Sequence, residues 1–490
     1  MMARQSLETI ILCGHGLAFE TTLAALSGTL PGEITIIALE LKNADNKDIF
    51  YGSVTSPRAY NFHLSIGLSE PDLIYNTDTS FAYGTHYQNW ASHLDWIQSH
   101  TLPFPIWQGT PFHHYLLKQK RSLQPFLVGA VCGSKGRFAH PPSDPKVPLS
   151  RAEYSYQFRP NSITALLKKQ SRPKNIIRKI GEIKQVHTED DELTSIELSN
   201  GEHITGQLYI DTSVHKGHLM EALGNTFHKD RSLFVAESLH EGPFEGASLR
   251  KVNGESYGWK SITTLRDKYS CLTVSHPSQK DLIVSARENH TAYQSFRVDT
   301  GHRPLGWFGN CVAIGHSSYI MEPLTPAPLM LLQEDIDRLL GLIPHSTDMQ
   351  IERKEFNRLL RDDTQHCEIF QRAFYAIDNP PKTPYWQDIT SQPTPEKLNR
   401  KITQFTSRAY LTKFDLELFN EEDWTTLHFG MRRNCQRYTD FSDGLSDSAV
   451  SQNLDNLEKS IQSISQNVPP HDRYVSNFMR YLEKRCDAKF

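Results

Sequence analysis

The chain lacks paired cysteines, a long apolar run, a surplus of charge of either sign and any internal repeat. Its seven cysteines (Cys13, Cys132, Cys271, Cys311, Cys367, Cys435 and Cys486) stand singly, with no C-x-x-C pair among them. Scattered cysteines in odd number argue against a disulfide framework or a thiolate zinc site and suit a reducing compartment. No apolar stretch approaches the roughly 20 residues that a membrane span needs. The opening MMARQSLETIILCGHG ends its short apolar run in a glycine turn where a signal peptide has a cleavage site, so a cytoplasmic protein is expected. With 52 Lys and Arg against 56 Asp and Glu, the formal charge of −4 gives no field to attract nucleic acid or an anionic membrane. His113, His114 and His215 have no ligand spacing around them, and no metal site is expected.

What is present begins with a strand, a glycine turn, a helix and a second strand. Thr9 to Cys13 is apolar, Gly14-His15-Gly16 is a turn, Glu20 to Leu30 has helical spacing, and Ile34 to Leu39 reads as strand. This pattern opens a dinucleotide-binding unit, in which a helix N-terminus faces a pyrophosphate. Residues 50–150 show little periodicity and read as loops and short strands around a pocket. Glu153 to Gln170 reads as strand then helix. Ile176 to Asp211 alternates as a meander returning to a central strand at Leu208–Asp211, and 230–300 continues in antiparallel strand. Asn310 to Gly315 is a buried strand ending in glycine, followed by the amphipathic helix Leu329–Leu342. From about 350 onward the pattern is helical, broken by the turn DNPPKTP. The expected fold is α/β: a nucleotide-binding Rossmann-type unit with an interleaved antiparallel sheet and a helical C-terminal part, a layout that resembles the FAD-binding flavoprotein monooxygenases of the hydroxybenzoate-hydroxylase type and does not by itself fix a function. The expected division is 1–345 for a flavoprotein-monooxygenase-like unit of discontinuous subdomains and 346–490 for helices packed on it.

Ordered motifs narrow this further. Gly309-Asn310-Cys311-Val312-Ala313-Ile314-Gly315, continuing to Met321-Glu322-Pro323-Leu324, resembles the second flavin-contact segment of the flavin-dependent tryptophan halogenases, GNCVAIG then EPLESTG. Pro57 to His63 with Ile66-Gly67-Leu68, Phe81 to Trp90, Leu208-Tyr209-Ile210-Asp211 and Phe419 to Trp424 resemble further segments of that family, in the same order. The chain is identified as a divergent member. The resemblance implies FAD as cofactor, a flavin reductase as partner, and an aromatic substrate, either a small molecule or a peptide residue. It places cofactor contacts at Gly14, Gly16, Gly52 and Gly315, and the substrate pocket at Phe81, His86 and Trp259.

The departures fall on functional positions. Phe19 stands where the third glycine of GxGxxG is expected, and a phenyl ring there either shifts the helix or fills the phosphate space. The acid expected at the end of the second strand falls at Ala38, with Glu40 two residues on. The family's G-E-[AS]-T-x-P strap reads Gly52-Ser53-Val54-Thr55-Ser56-Pro57, losing its glutamate to Ser53. Ala82 takes the place of the catalytic lysine, Thr325 that of the assisting glutamate, and only Trp259 survives of W-x-W-x-I-P. Pro326 and Pro328 bracket Ala327 in the turn that holds halide, and proline has no N–H to offer. His86, Tyr83, Lys260 and His316 remain as titratable neighbours of the lost groups. The reading is a family member that does not halogenate by the lysine route, with FAD binding weak or absent and no catalytic residue assigned. Two alternatives stand beside it. One is a working flavin-dependent halogenase or monooxygenase acting on tryptophan, an indole or a peptide aromatic residue. The other is a non-catalytic partner of a complete paralogue; a homodimer is a separate expectation for assembly.

Overall fold

Of four apolar runs, TIILCG, LYIDT and CVA are buried nearly throughout and TIIALEL buries Ile36, Ala38 and Leu39, the pattern of parallel strands covered on both faces. In the computed structural model, which describes residues 6–42, 47–170, 175–214, 217–242, 248–285 and 292–487, they form the centre of a six-stranded sheet. Its order is Trp307–Phe308, Cys311–Ala313, Leu208–Thr212, β1 (Thr9–Gly14), β2 (Thr35–Leu41) and Ile176–Gly181, all neighbours parallel except the first pair. The meander Ile183–Glu189, Glu192–Leu198 and His203–Ile204 covers one face, packing Leu193, Ile196 and Leu198 with Ile11, Leu39 and Tyr209. Helix α1 (Gly16–Thr29) packs against helices Pro160–Lys168 and Ala327–Gly341. Every residue of α1 from Leu17 to Leu26 is buried, which its run of small and apolar residues, with no polar stripe, permits.

The chain divides into two interleaved units. The first is Met1–Thr77, Arg159–Leu233 and Val298–Gln365; the second is Asp78–Phe158, Phe234–Arg297 and His366–Phe490. The contact division therefore groups residues 346–365 with the dinucleotide-type sheet, and the helix Gln350–Ala373 runs across it. In the second unit the strand order is His228–Glu241 (from Phe234 onward), Lys268–Ser275, Gly258–Thr264, Arg250–Glu255, Gly84–Trp90 and Leu94–Ser99. Only the contact of Arg250–Glu255 with Gly84–Trp90 is parallel. Its C-terminal helices include Glu421–Gly430, entered through a capping box between Asn420 and Asp423, Asp447–Asn467 and His471–Asp487.

Two local expectations are corrected. Helix α1 starts at Gly16, four residues before its apolar spacing becomes visible at Glu20. Residues 50–150 hold four seven-residue helices, Ala59–Ser65, Glu70–Asn76, Phe112–Lys118 and Val128–Ser134. Two turns are too short to display a 3.6-residue period against neighbouring loops.

Candidate functional site

The dinucleotide turn is built as the sequence predicts. Gly14 lies level with Thr212 on one side and with Glu40 on the other. That register corrects the position of the strand-end acid. Ala38 lies opposite Leu12, in mid-strand, and Glu40 is the carboxylate at the height of the glycine turn. Glu40 is bonded to Lys168 and lies 3.9 Å from Arg178. Arg178 also pairs with the buried Glu20, and its guanidinium sits 5.9 Å over the Phe19 ring. Phe19 is thus wholly buried beneath Arg178 with α1 still beginning at Gly16.

The N-terminus of α1 holds an anion supplied by the chain itself. The Leu17 N–H donates to Asp48 Oδ2 at 2.8 Å, and Asp48 is 2% exposed. Gly16, at φ +73°, is required by this contact: a Cβ there would stand 2.4 Å from Asp48 Oδ2 and 2.7 Å from Oδ1. Burial pushes the Asp48 carboxyl up to about 6, opposed by the Leu17 N–H and by Lys168. Asp48 opens the single 3₁₀ turn Asp48–Tyr51, all four residues buried, and the other end of that turn reaches Gly315 and His316. The Tyr51 ring stacks flat on His316, with centroids 3.5 Å apart, and its hydroxyl accepts from the His316 N–H at 2.8 Å. Gly315 donates its N–H to Asp335 at 3.0 Å, and a Cβ on it would meet the Tyr51 hydroxyl at 2.4 Å. Gly52 closes the turn, its Cα facing Pro323.

The turn after this segment is anchored by a buried ion pair, Arg231 to Glu322 at 3.2 Å. Thr325 is buried, and its Oγ1 accepts the Ala327 N–H at 3.3 Å. Of the residues following Thr325, Pro326 and Pro328 carry no N–H and that of Ala327 is turned to Thr325.

The second unit places the remaining candidates. Ser80–Ala82 pairs with Ser155–Gln157, and both Phe81 and Ala82 are fully buried. The Phe81 ring stacks on Phe138 at 4.7 Å and is edged by His140, Tyr154 and Phe478. Tyr83 accepts the Ala139 N–H and donates to its carbonyl; burial pushes its hydroxyl well above the usual range, so it is no base at neutral pH. His86 bonds Asp95 on the adjacent strand at 2.8 Å, with the carboxylate largely exposed. Trp259 is fully buried, with the buried Arg250 guanidinium 5.7 Å over its ring. Lys260 alternates to the opposite face, lining a surface cavity with Ser238, His240 and Tyr269. Phe81, Ala82 and Trp259 are therefore core positions, while His86 is hydrogen-bonded to Asp95 on the edge strand. His113 bonds the Ala409 carbonyl and His114 accepts from Thr439; His215 lies outside the described residues. Among the described residues no cluster of ligands for a metal occurs, and no helix is long and apolar enough to cross a membrane. Asp48, Tyr51, Arg231 and Asp335 carry no sequence signal of their role. Only the acid four residues before the strap glycine is visible, not its fold-back to Leu17.

Comparison with known proteins agrees with the fold. The sequence pattern of the tryptophan halogenase family matches residues 9–447. The chain is 21% identical over 420 residues to the tryptophan 6-halogenase ThaL of Streptomyces albogriseolus, covering 78% of each. Its fold is similar to that of BrvH, a flavin-dependent halogenase from Brevundimonas sp. BAL3, with TM-score 0.86, 23% identity, and 96% and 99% of the two chains covered. It is similar again to a flavin-dependent halogenase from Xanthomonas campestris, with TM-score 0.87, 21% identity, and 97% and 99% covered. With the motifs in order, a fold similar to the solved relatives and a family pattern matched over most of its length, the chain belongs to the tryptophan halogenase family.

Proposed function

We propose that this protein is a halogenase-family scaffold that does not halogenate by a lysine-dependent route and holds FAD weakly or not at all. The observation that carries the reading is the Asp48 carboxylate on the Leu17 N–H. The cofactor implied by the family is FAD, and the donor set of α1 does not fit its diphosphate as it stands. A helix N-terminus has few free donors and a positive end that one anion satisfies. A diphosphate brought to Leu17 meets a carboxylate already bonded there, and like charges at that range in a buried site repel strongly. Tyr51 on His316 supports the same reading at the second flavin-contact segment. Ala82 adds that no primary amine stands at the lysine position, and Thr325 with its two neighbouring prolines removes donors from the halide turn. Titration calorimetry with FAD tests this directly: the dissociation constant is expected at about tens of micromolar or weaker. The protein is also expected to purify colourless. A sub-micromolar constant overturns the proposal.

A second reading, a working flavin enzyme served by a flavin reductase and acting on tryptophan, an indole or a peptide aromatic residue, draws support from one observation. Glu40 stands at the height of Gly14, where a ribose hydroxyl would need a carboxylate. Tight FAD binding in the titration would move this reading into first place.

A further inference from the structure

The segment Phe429–Tyr438 runs from the last two residues of the helix Glu421–Gly430 into the chain beyond it and carries three arginines in ten residues. It lines a cavity of about 760 Å³ that also takes in Lys120 and Arg121. Its charges are unevenly neutralised. Arg121 is committed to Asp455 and Glu458, and Asp443 to Lys118. Lys120, Arg432 and Arg437 have no carboxylate partner among the described residues. Arg433, half-buried, donates to His428 Nδ1 at 2.9 Å and to the Ala373 carbonyl at 2.7 Å, neither of which is a carboxylate. Four cations therefore face Asp440 as the one acid of the lining not already paired. The walls between them are apolar and aromatic, with Phe429 and Tyr438 both partly exposed.

Like charges gathered in one cavity destabilise the fold unless an anion joins them, and a concave basic surface concentrates the field that attracts one. Three guanidinium forks match phosphate oxygens two at a time, and four positive charges exceed what a single carboxylate balances. The volume is that of a small-molecule pocket and not of a flat protein-docking face. We propose that this cavity is a binding site for a small phosphate-bearing molecule with an aromatic or apolar body, lying wholly within the second unit and separate from the dinucleotide turn.

The probe is ADP, titrated calorimetrically into the full-length protein, with adenosine and hexaglutamate as comparisons. ADP is expected to bind with a dissociation constant below about 100 µM at low salt, weakening as ionic strength rises, while adenosine does not bind measurably. The double variant Arg432→Gln/Arg437→Gln removes two exposed side chains with no carboxylate partner among the described residues, so its fold is expected to be intact. It should weaken ADP by about tenfold or more. Arg433→Gln, which also loses contacts to His428 and Ala373, serves only as a second arm. ADP binding that the double variant leaves unchanged overturns the proposal by placing the nucleotide elsewhere, the α1 turn included. Failure of ADP to bind up to about 1 mM overturns it too. Binding of hexaglutamate without ADP overturns it in favour of an acidic protein segment.

Discussion

Asp48 sets its own carboxylate on the N-terminus of α1, the end of a helix that favours an anion. Its carboxyl titrates near 6, above the value of about 3.9 that it has in an unfolded chain, because burial disfavours the charge. A raised carboxyl means that the unfolded state releases its proton first, so stability falls as pH rises from about 4 to about 6 and the full loss persists above. Two pKa units correspond to no more than about 3 kcal/mol. Asp48→Asn keeps an acceptor for Leu17 without the charge. Its melting temperature relative to wild type should therefore rise by several degrees between pH 4 and pH 7.5, read by scanning fluorimetry; a flat difference refutes the assignment. On the proposed reading the same titration bears on FAD. Protonated Asp48 repels no diphosphate, so FAD should bind more tightly at pH 5 than at pH 8, and Asp48→Ala should tighten it at pH 8 by about one to two decades. An affinity unmoved by Asp48→Ala would show that the carboxylate is not what opposes FAD.

At the scale of elements, two short turns decide the site while the long elements merely carry them. The 3₁₀ turn Asp48–Tyr51 touches α1 with its first residue and the Gly315–His316 turn with its last. The turn from Glu322 to Pro328 is held by Arg231, 6% exposed at its side chain against 4% for Glu322. Removing one partner of a buried pair leaves the other charge uncompensated, so Glu322→Ala should cost about 3–5 kcal/mol, seen as a lowered urea midpoint. A loss under about 1 kcal/mol would mean that the other contacts of Arg231 hold the turn without the glutamate. These turns also mark what the sequence hides. β1, β2, Leu208–Thr212 and Cys311–Ala313 are legible because unbroken apolar runs next to glycine have few other homes. The helix Ala327–Gly341 is legible from its period. The contact of Asp48 with Leu17 spans 31 positions and leaves no local pattern. The same holds for the strand-end acid: counting residues points to Ala38, and only the register with β1 brings Glu40 to the turn.

For the molecule as a whole, the question is whether one restored group returns the family's chemistry. The packing positions shared with the solved relatives preserve the fold at about one residue in five identical, as in the 21% match to the Xanthomonas protein with its TM-score of 0.87. The positions at which the motif resemblance implies a departure lie in both units: Ser53, Thr325 and Pro328 in the first, Ala82 in the second. Groups that act together lose function together, and replacing one member of an incomplete set recovers little. Ala82→Lys also places an amine where the wild-type side chain is fully buried beside the packed Phe81 cluster, a position that disfavours its charge. The variant is therefore expected to fold less stably and still to yield no bromotryptophan when supplied with FAD, a flavin reductase, NADH, bromide and tryptophan. The measurement is mass spectrometry against a no-enzyme control, with wild type and Asp48→Ala run in parallel. Product from wild type would make the protein a halogenase by another route. Product from Ala82→Lys alone would show that the halide turn and the flavin strap are complete as they stand, despite Thr325, Pro328 and Ser53. If Asp48→Ala binds FAD and still makes no product, the cofactor site and the reaction have been lost separately, the first through one carboxylate and the second through the lysine and the halide turn.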